Sequence, residues 1–103
     1  MAESAIQIPR LGSSFAVTTE TASWTVNKNS YKSSTISHSK AGWKPLGVVG
    51  TYTDNPNVTI YNNRMSASST GSATVSIAVR NWNTSSNLTV TITNCVLWTL
   101  LGG

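Results

Sequence analysis

From Ala22 onward the chain alternates apolar and polar positions with a period of two, the pattern of strands that put one face into a core. Ala22, Trp24 and Val26 share one parity; further on, Ala73, Val75, Ile77 and Val79 point one way while Thr74, Ser76, Ala78 and Arg80 point the other. The longest run comes last. Leu88, Val90, Ile92, Val96, Trp98 and Leu100 hold one parity, and Thr89, Thr91, Thr93, Cys95 and Leu97 hold the other, which turns apolar at its end. Leu46, Val48 and Val49 follow Pro45 with too little alternation for a solvent-facing strand. They predict a strand covered on both sides, in which Gly47 and Gly50 let a neighbouring backbone or a ring such as Trp43 or Tyr52 approach closely.

Turn chemistry separates these runs. Asn27-Lys28-Asn29-Ser30 predicts a turn in which Asn takes a left-handed backbone, and residues 31–38 return as a mostly polar strand. Asp54-Asn55-Pro56-Asn57 is the strongest turn signal and leads into Val58, Ile60 and Asn62 on one face, with Thr59 and Tyr61 on the other. Residues 66–71 read as a second loop, and residues 83–87 close the strand before the last. About six or seven strands at short spacing, with no helical periodicity between them, predict an all-β fold: an antiparallel two-layer β-sandwich of jelly-roll-like type. No repeat of about 20 to 50 residues is present, which excludes propellers and solenoids. Residues 1–21 differ from the rest, with Pro9, Gly12, Glu3, Glu20 and the pair Ile6 and Ile8. They read as an N-terminal arm or linker, short strand included, ahead of a sandwich domain at 22–103.

Composition narrows the function. The 103 residues make one domain with a modest core, and Ser, Thr and Asn supply roughly two residues in five, a bias toward strands with hydroxylated outer faces. The net charge of +4 comes from Arg10, Lys28, Lys32, Lys40, Lys44, Arg64 and Arg80, which form no run. That spread reads as a solvated basic face rather than a nucleic-acid interface, and it also suits anionic cell-surface polymers. Cys95 is alone, so no intramolecular disulfide and no zinc spacing exists. The opening MAESAIQIPRLGSS lacks the apolar core of a secretory signal and no segment has the length of a membrane span, so the expectation is synthesis in a cytoplasm without membrane insertion.

Catalysis has little to work with. His38 is the only histidine and Asp54, Glu3 and Glu20 the only side-chain carboxylates, so a Ser-His-Asp set has no marked serine and a glycosidase pair has two of its three acids in the arm. His38, in a Ser/Thr/Lys stretch, reads as a surface histidine. Asp54, Asn55 and Asn57 offer oxygen ligands, but one carboxylate is a poor cage for calcium. The expectation is a protein that is no enzyme, with no catalytic residue, no cofactor and no metal.

The segment 43–52, WKPLGVVGTY, is echoed downstream by VSIAVRNWN at 75–83. The order of parts is Gly-aromatic-x-PLGVVG, a Ser/Thr/Asn-rich hairpin region, a strand ending in VRN, and a final strand of alternating Thr and aliphatic residues. Over roughly residues 23–100 it resembles the C-terminal domains of bacteriophage tail-fibre and minor structural proteins. The resemblance implies a homotrimer on a virion, and the apolar end of the last strand fits a threefold contact at Leu97, Trp98 and Leu100. It favours a structural role for Arg80 and Asn81, while the continuation NWN departs from the family by placing a large aromatic at the strand end.

Surface recognition centres on Arg80, Trp82 and Asn83. Trp82 shares the outward parity of Arg80, and an indole flanked by amides suits a sugar ring with its hydroxyls; packing at a subunit contact is the equal alternative. Two functions follow. The first is a fibre tip or knob that touches host-surface glycan or receptor, with the N-terminal arm joined to other phage structural proteins. The second is a head-fibre or capsid-decoration protein with a purely structural role, which a short chain beginning with its own Met favours.

Overall fold

The computed structural model describes residues 2–8 and 13–101, with side chains from 14 to 100. These form seven strands: β1 (Ala2–Ile8), β2 (Ser13–Val26), β3 (Tyr31–Ser39), β4 (Lys44–Thr53), β5 (Val58–Ser69), β6 (Ser72–Asn81) and β7 (Leu88–Leu101). All pairings are antiparallel. One sheet runs β1-β2-β7-β4 and the other β3-β6-β5, so the chain is an all-β two-layer sandwich. The connections at 27–30, 40–43, 54–57 and 82–87 each cross from one sheet to the other, whereas Thr70 and Gly71 close a hairpin inside the second.

Alternation places the core. Ala73, Val75, Ile77 and Val79 of β6 meet Val90, Ile92, Val96 and Trp98 of β7, with Val26 and Ile36 completing a cluster between the layers. The molecule is long rather than round. Its extents are 55 × 21 × 19 Å and its radius of gyration 15.7 Å, against about 13 Å for a compact chain of this length. The length follows from β2 and β7, which pair over fourteen residues each.

Three expectations need correction. The arm expected at 1–21 does not end there, because Thr21 lies in the middle of β2, and Ser14, Ala16 and Thr18 are already buried. Ile6 and Ile8 fall in β1, paired to β2, while Pro9 and Gly12 lie outside the described residues. The loop expected at 66–71 shrinks to its last two residues, since β5 runs on to Ser69; Gly71, with φ 83°, makes the reversal there.

The third correction concerns β4, which is the outer strand of its sheet and not a strand covered on both faces. Its register with β7 slips between Pro45 and Gly47 and again between Val48 and Gly50. Each slip inserts an extra residue that turns outward, so Leu46 is 47% and Val49 55% exposed while Val48 stays half-buried against the core. Bulges of this kind blunt an edge that would otherwise pair with another chain. Nor does any close approach explain Gly50, because a Cβ added there meets nothing within 4 Å. Gly50→Val is therefore expected to leave stability within about 0.5 kcal/mol or raise it slightly. Urea unfolding decides this; a loss above about 2 kcal/mol would restore the packed-glycine reading.

The turns at 27–30 and 54–57 stand where the sequence puts them. Asn29 takes φ 49°, the left-handed backbone expected of it. In the 54–57 turn the Asn57 N–H donates to Asn55 Oδ1 at 3.0 Å and the Val58 N–H to the Asn55 carbonyl at 3.2 Å.

Candidate functional site

Three turns meet at one end of the sandwich and set up its outer surface. The Asn81 N–H donates to the Ser30 carbonyl, the Asn29 N–H to the Asn83 carbonyl and the Trp82 N–H to the Asn57 carbonyl, at 2.8 to 2.9 Å. Buried Asn81 anchors the junction: its Nδ2 donates to the Val26 and Ser86 carbonyls and its Oδ1 accepts the Asn83 N–H. This is the structural role expected of Asn81.

Register builds the face above that junction. Arg80, near the end of the central strand β6, pairs with Tyr31 on β3 and Thr59 on β5; the next outward row is Ser33, Ala78 and Asn62, and the one after is Thr35, Ser76 and Arg64. Tyr31 and Tyr61 stack with ring centroids 5.0 Å apart although β3 and β5 are separated by β6. Next-but-one strands stand about 9.6 Å apart, so the two rings lean toward each other over the central strand. Two features permit it: Ala78 is small, and the bulge between Ile60 and Asn62 re-aims Tyr61. The Arg80 guanidinium carbon lies 4.6 Å from the Tyr31 ring centre and 4.2 Å from that of Trp82. The Trp82 indole N–H donates to Thr59 Oγ1 at 2.7 Å, which fixes the ring's orientation.

The result is a continuous row, Tyr61–Tyr31–Arg80–Trp82, on a sheet face otherwise made mainly of Ser, Thr and Asn, with Ala78 and Arg64 among them. Tyr31 is 61% and Trp82 54% exposed. Of the residues expected to contact a ligand, Arg80 and Trp82 belong to this row. Asn83 does not, because its Oδ1 accepts from Ser85 N, Ser85 Oγ and Ser86 N and so shapes the 82–87 loop. Tyr31 and Tyr61 were not singled out by the sequence, since a pattern of parity does not reveal which side chains lean across a strand.

A second polar assembly lies between the sheets. His38, expected at the surface, is 1% exposed. The Trp98 indole N–H can only donate, and it donates to Thr18 Oγ1 at 2.7 Å. The Thr18 hydroxyl hydrogen then turns to His38 Nδ1 at 2.7 Å, leaving the proton of the neutral imidazole on Nε2, which donates to Asn94 Oδ1 at 2.7 Å. Asn94 Nδ2 continues to Thr51 Oγ1 at 2.6 Å, and the Thr51 hydroxyl donates to Asn63 Oδ1 at 2.6 Å. The chain of donors runs one way through five strands of both sheets and reaches the surface at Asn63. Burial pushes the His38 imidazole below its ordinary value of 6.5, against weaker opposing effects of the Asn94 bond and the Glu20 carboxylate. The signal for this assembly was Asn94, an amide on the apolar parity between Ile92 and Val96.

Trp98 was expected at a threefold contact. It is wholly buried within the chain, hydrogen-bonded to Thr18, and offers no surface to a partner. Leu97 and Leu100 are half-buried. Cys95 lies half-buried on the outer face of β7, its sulfur 3.4 Å from Thr19 Oγ1. Among the described residues no group of three His, Cys, Asp or Glu side chains clusters, no pocket opens, and no helix is long and apolar enough to cross a membrane. Comparison with family models, with curated proteins and with solved structures finds no match for this chain.

Proposed function

We propose that the chain is a non-enzymatic attachment module of a bacteriophage virion, a fibre tip or knob that lays the outer face of β3-β6-β5 against host-surface glycan. The row Tyr61–Tyr31–Arg80–Trp82 carries this reading. A pyranose offers an apolar ring face and a rim of hydroxyls, and this surface offers exposed rings beside serine, threonine and asparagine donors and acceptors. The elongated form supports a fibre element, and the repeated crossing between sheets supports the jelly-roll-like character.

In this reading the module is a homotrimer, with Leu46, Val49 and Leu97 as the apolar residues that a neighbouring copy covers; the first two are exposed and all three lie along β4 and β7. The same exposed edge favours the second reading, a head-fibre or decoration protein whose contacts are with other virion proteins.

Trp82→Ala decides between these. The indole is half-exposed, and its loss removes one hydrogen bond and one cation–π contact, so the stability cost is expected to stay near 1 kcal/mol. Binding to immobilised bacterial-surface polysaccharide is expected to disappear. A wild-type protein that binds no polysaccharide, or a variant that unfolds, would turn the assignment toward virion packing. Light scattering on the same sample measures the mass, and a monomer at micromolar concentration removes the trimer.

A further inference from the structure

The glycan reading leaves the chemistry of the sugar open, and charge closes it. The outward face of β3-β6-β5 carries Arg64 and Arg80 and neither aspartate nor glutamate, with Lys28 in the turn that leads into β3 and Asp54 in the turn that leads into β5. Arg80 is held in an unusual state for a cation. Its guanidinium carbon lies over the rings of Tyr31 and Trp82, its Nε is buried without a hydrogen bond, and its Nη2 donates to the neutral oxygen of Asn29. A partly buried guanidinium beside two rings, with one carboxamide as its neighbour, gains more from an arriving anion than an exposed lysine does. Arg64 is exposed on the same outward face, two rows along β6, about 13 Å from Arg80 by strand rise. Between them the Tyr31–Tyr61 pair spans β6 over Ala78, and Ser33, Asn62, Thr35 and Ser76 flank it with three hydroxyls and one amide.

We propose that this face binds an acidic polysaccharide whose charges are uronic-acid carboxylates, running along β6 from Trp82 to Arg64. A uronic acid carries its carboxylate directly on the pyranose ring, so ring face and charge are one rigid unit. Trp82 and Arg80 are likewise adjacent, 4.2 Å apart, so one sugar residue stacks on the exposed indole while its carboxylate meets the guanidinium beside it. Planar carboxylate and planar guanidinium match in plane, a fit that a point-charge lysine does not offer. Arg64 takes the carboxylate of a residue further along the polymer. This inference rests on the glycan reading of the face, and the test separates the two.

The test is affinity electrophoresis or calorimetry of the full chain at about 0.15 M salt, where charges further apart than about 8 Å are screened. The probes are polygalacturonate, neutral dextran, a phosphodiester-linked teichoic acid and a single-stranded oligonucleotide. The expected result is binding to polygalacturonate alone. Arg64→Gln and Arg80→Gln are each expected to weaken it about tenfold or more. Lys44→Gln, an equal charge removed from the opposite sheet, is expected to change it by less than about twofold. Arg64 is exposed, so its variant stays informative even if loss of Arg80 loosens the aromatic row. Equal binding to dextran overturns the acidic inference and leaves the glycan reading standing, as does tighter binding to teichoic acid. Tighter binding to the oligonucleotide, or binding to none of the polysaccharides, overturns both. A Lys44→Gln loss as large as that of Arg64→Gln reduces the effect to diffuse charge and overturns the site.

Discussion

Trp98→Ala is expected to destabilise the protein by about 3 to 5 kcal/mol, which for a domain holding about 5 to 15 kcal/mol in total brings it close to unfolding. Trp98 is the largest fully buried side chain, packed within the cluster that joins the two sheets. Truncation leaves a cavity that β-sheets pinned on both sides cannot collapse to fill. It also strips Thr18 Oγ1 of the donor that orients its hydroxyl toward His38. Urea unfolding followed by the fluorescence of the remaining tryptophans measures the effect, and the midpoint is expected to fall with an unchanged slope. A loss below about 1 kcal/mol would contradict the burial, and a folded variant of altered mass would return Trp98 to a subunit contact.

The contrast between Trp98 and Trp82 shows what the sequence made legible. Parity alone assigned Trp82 outward and put Val75, Ile77, Val79, Val90 and Ile92 in the core, because a strand interior leaves each side chain only two directions. It separated Trp98 from the surface less well, since the apolar residues on both parities near the end of β7 invited a subunit contact. Parity failed on β4 for a definite reason: two bulges shift the register twice in ten residues, so no single alternation describes Leu46, Val48 and Val49.

On β2 the failure was the reverse. Ala16 and Thr18 are buried while Phe15 and Val17 on the other parity are only half-buried, so the core face of β2 here carries its smaller and more polar residues and 1–21 read as an arm. Thr18 is tolerated inside because Trp98 and His38 satisfy it. The candidate site divides along the same line. Arg80 and Trp82 were legible from strand-end position, whereas Tyr31 and Tyr61 join them through tertiary approach over a strand whose small Ala78 makes room.

The buried polar chain makes stability depend on pH in a direction its hydrogen bonds dictate. Neutral His38 accepts from Thr18 at Nδ1 and donates to Asn94 from Nε2. A second proton on Nδ1 would turn an acceptor into a donor facing a hydroxyl that already receives the Trp98 N–H, and would place a charge in the core. The folded imidazole therefore binds its proton below 6.5, the value it recovers on unfolding. Where the unfolded chain binds more protons than the folded one, stability falls with falling pH. The loss begins as pH drops through about 6.5, steepens toward about 1.4 kcal/mol per pH unit, and levels off only below the folded-state value. His38 is the one histidine of the chain, so the decline between pH 7 and 5 is assigned to it. Urea unfolding at pH 7, 6 and 5 is expected to show the decline in the wild type and to lack it in His38→Gln. Should that variant fail to fold, ¹⁵N spectra of the wild type read the same point: a neutral ring protonated at Nε2 that resists titration through pH 6.5. Titration at or above 6.5, or an equal decline in the variant, would mean that the imidazole is not held as its partners require.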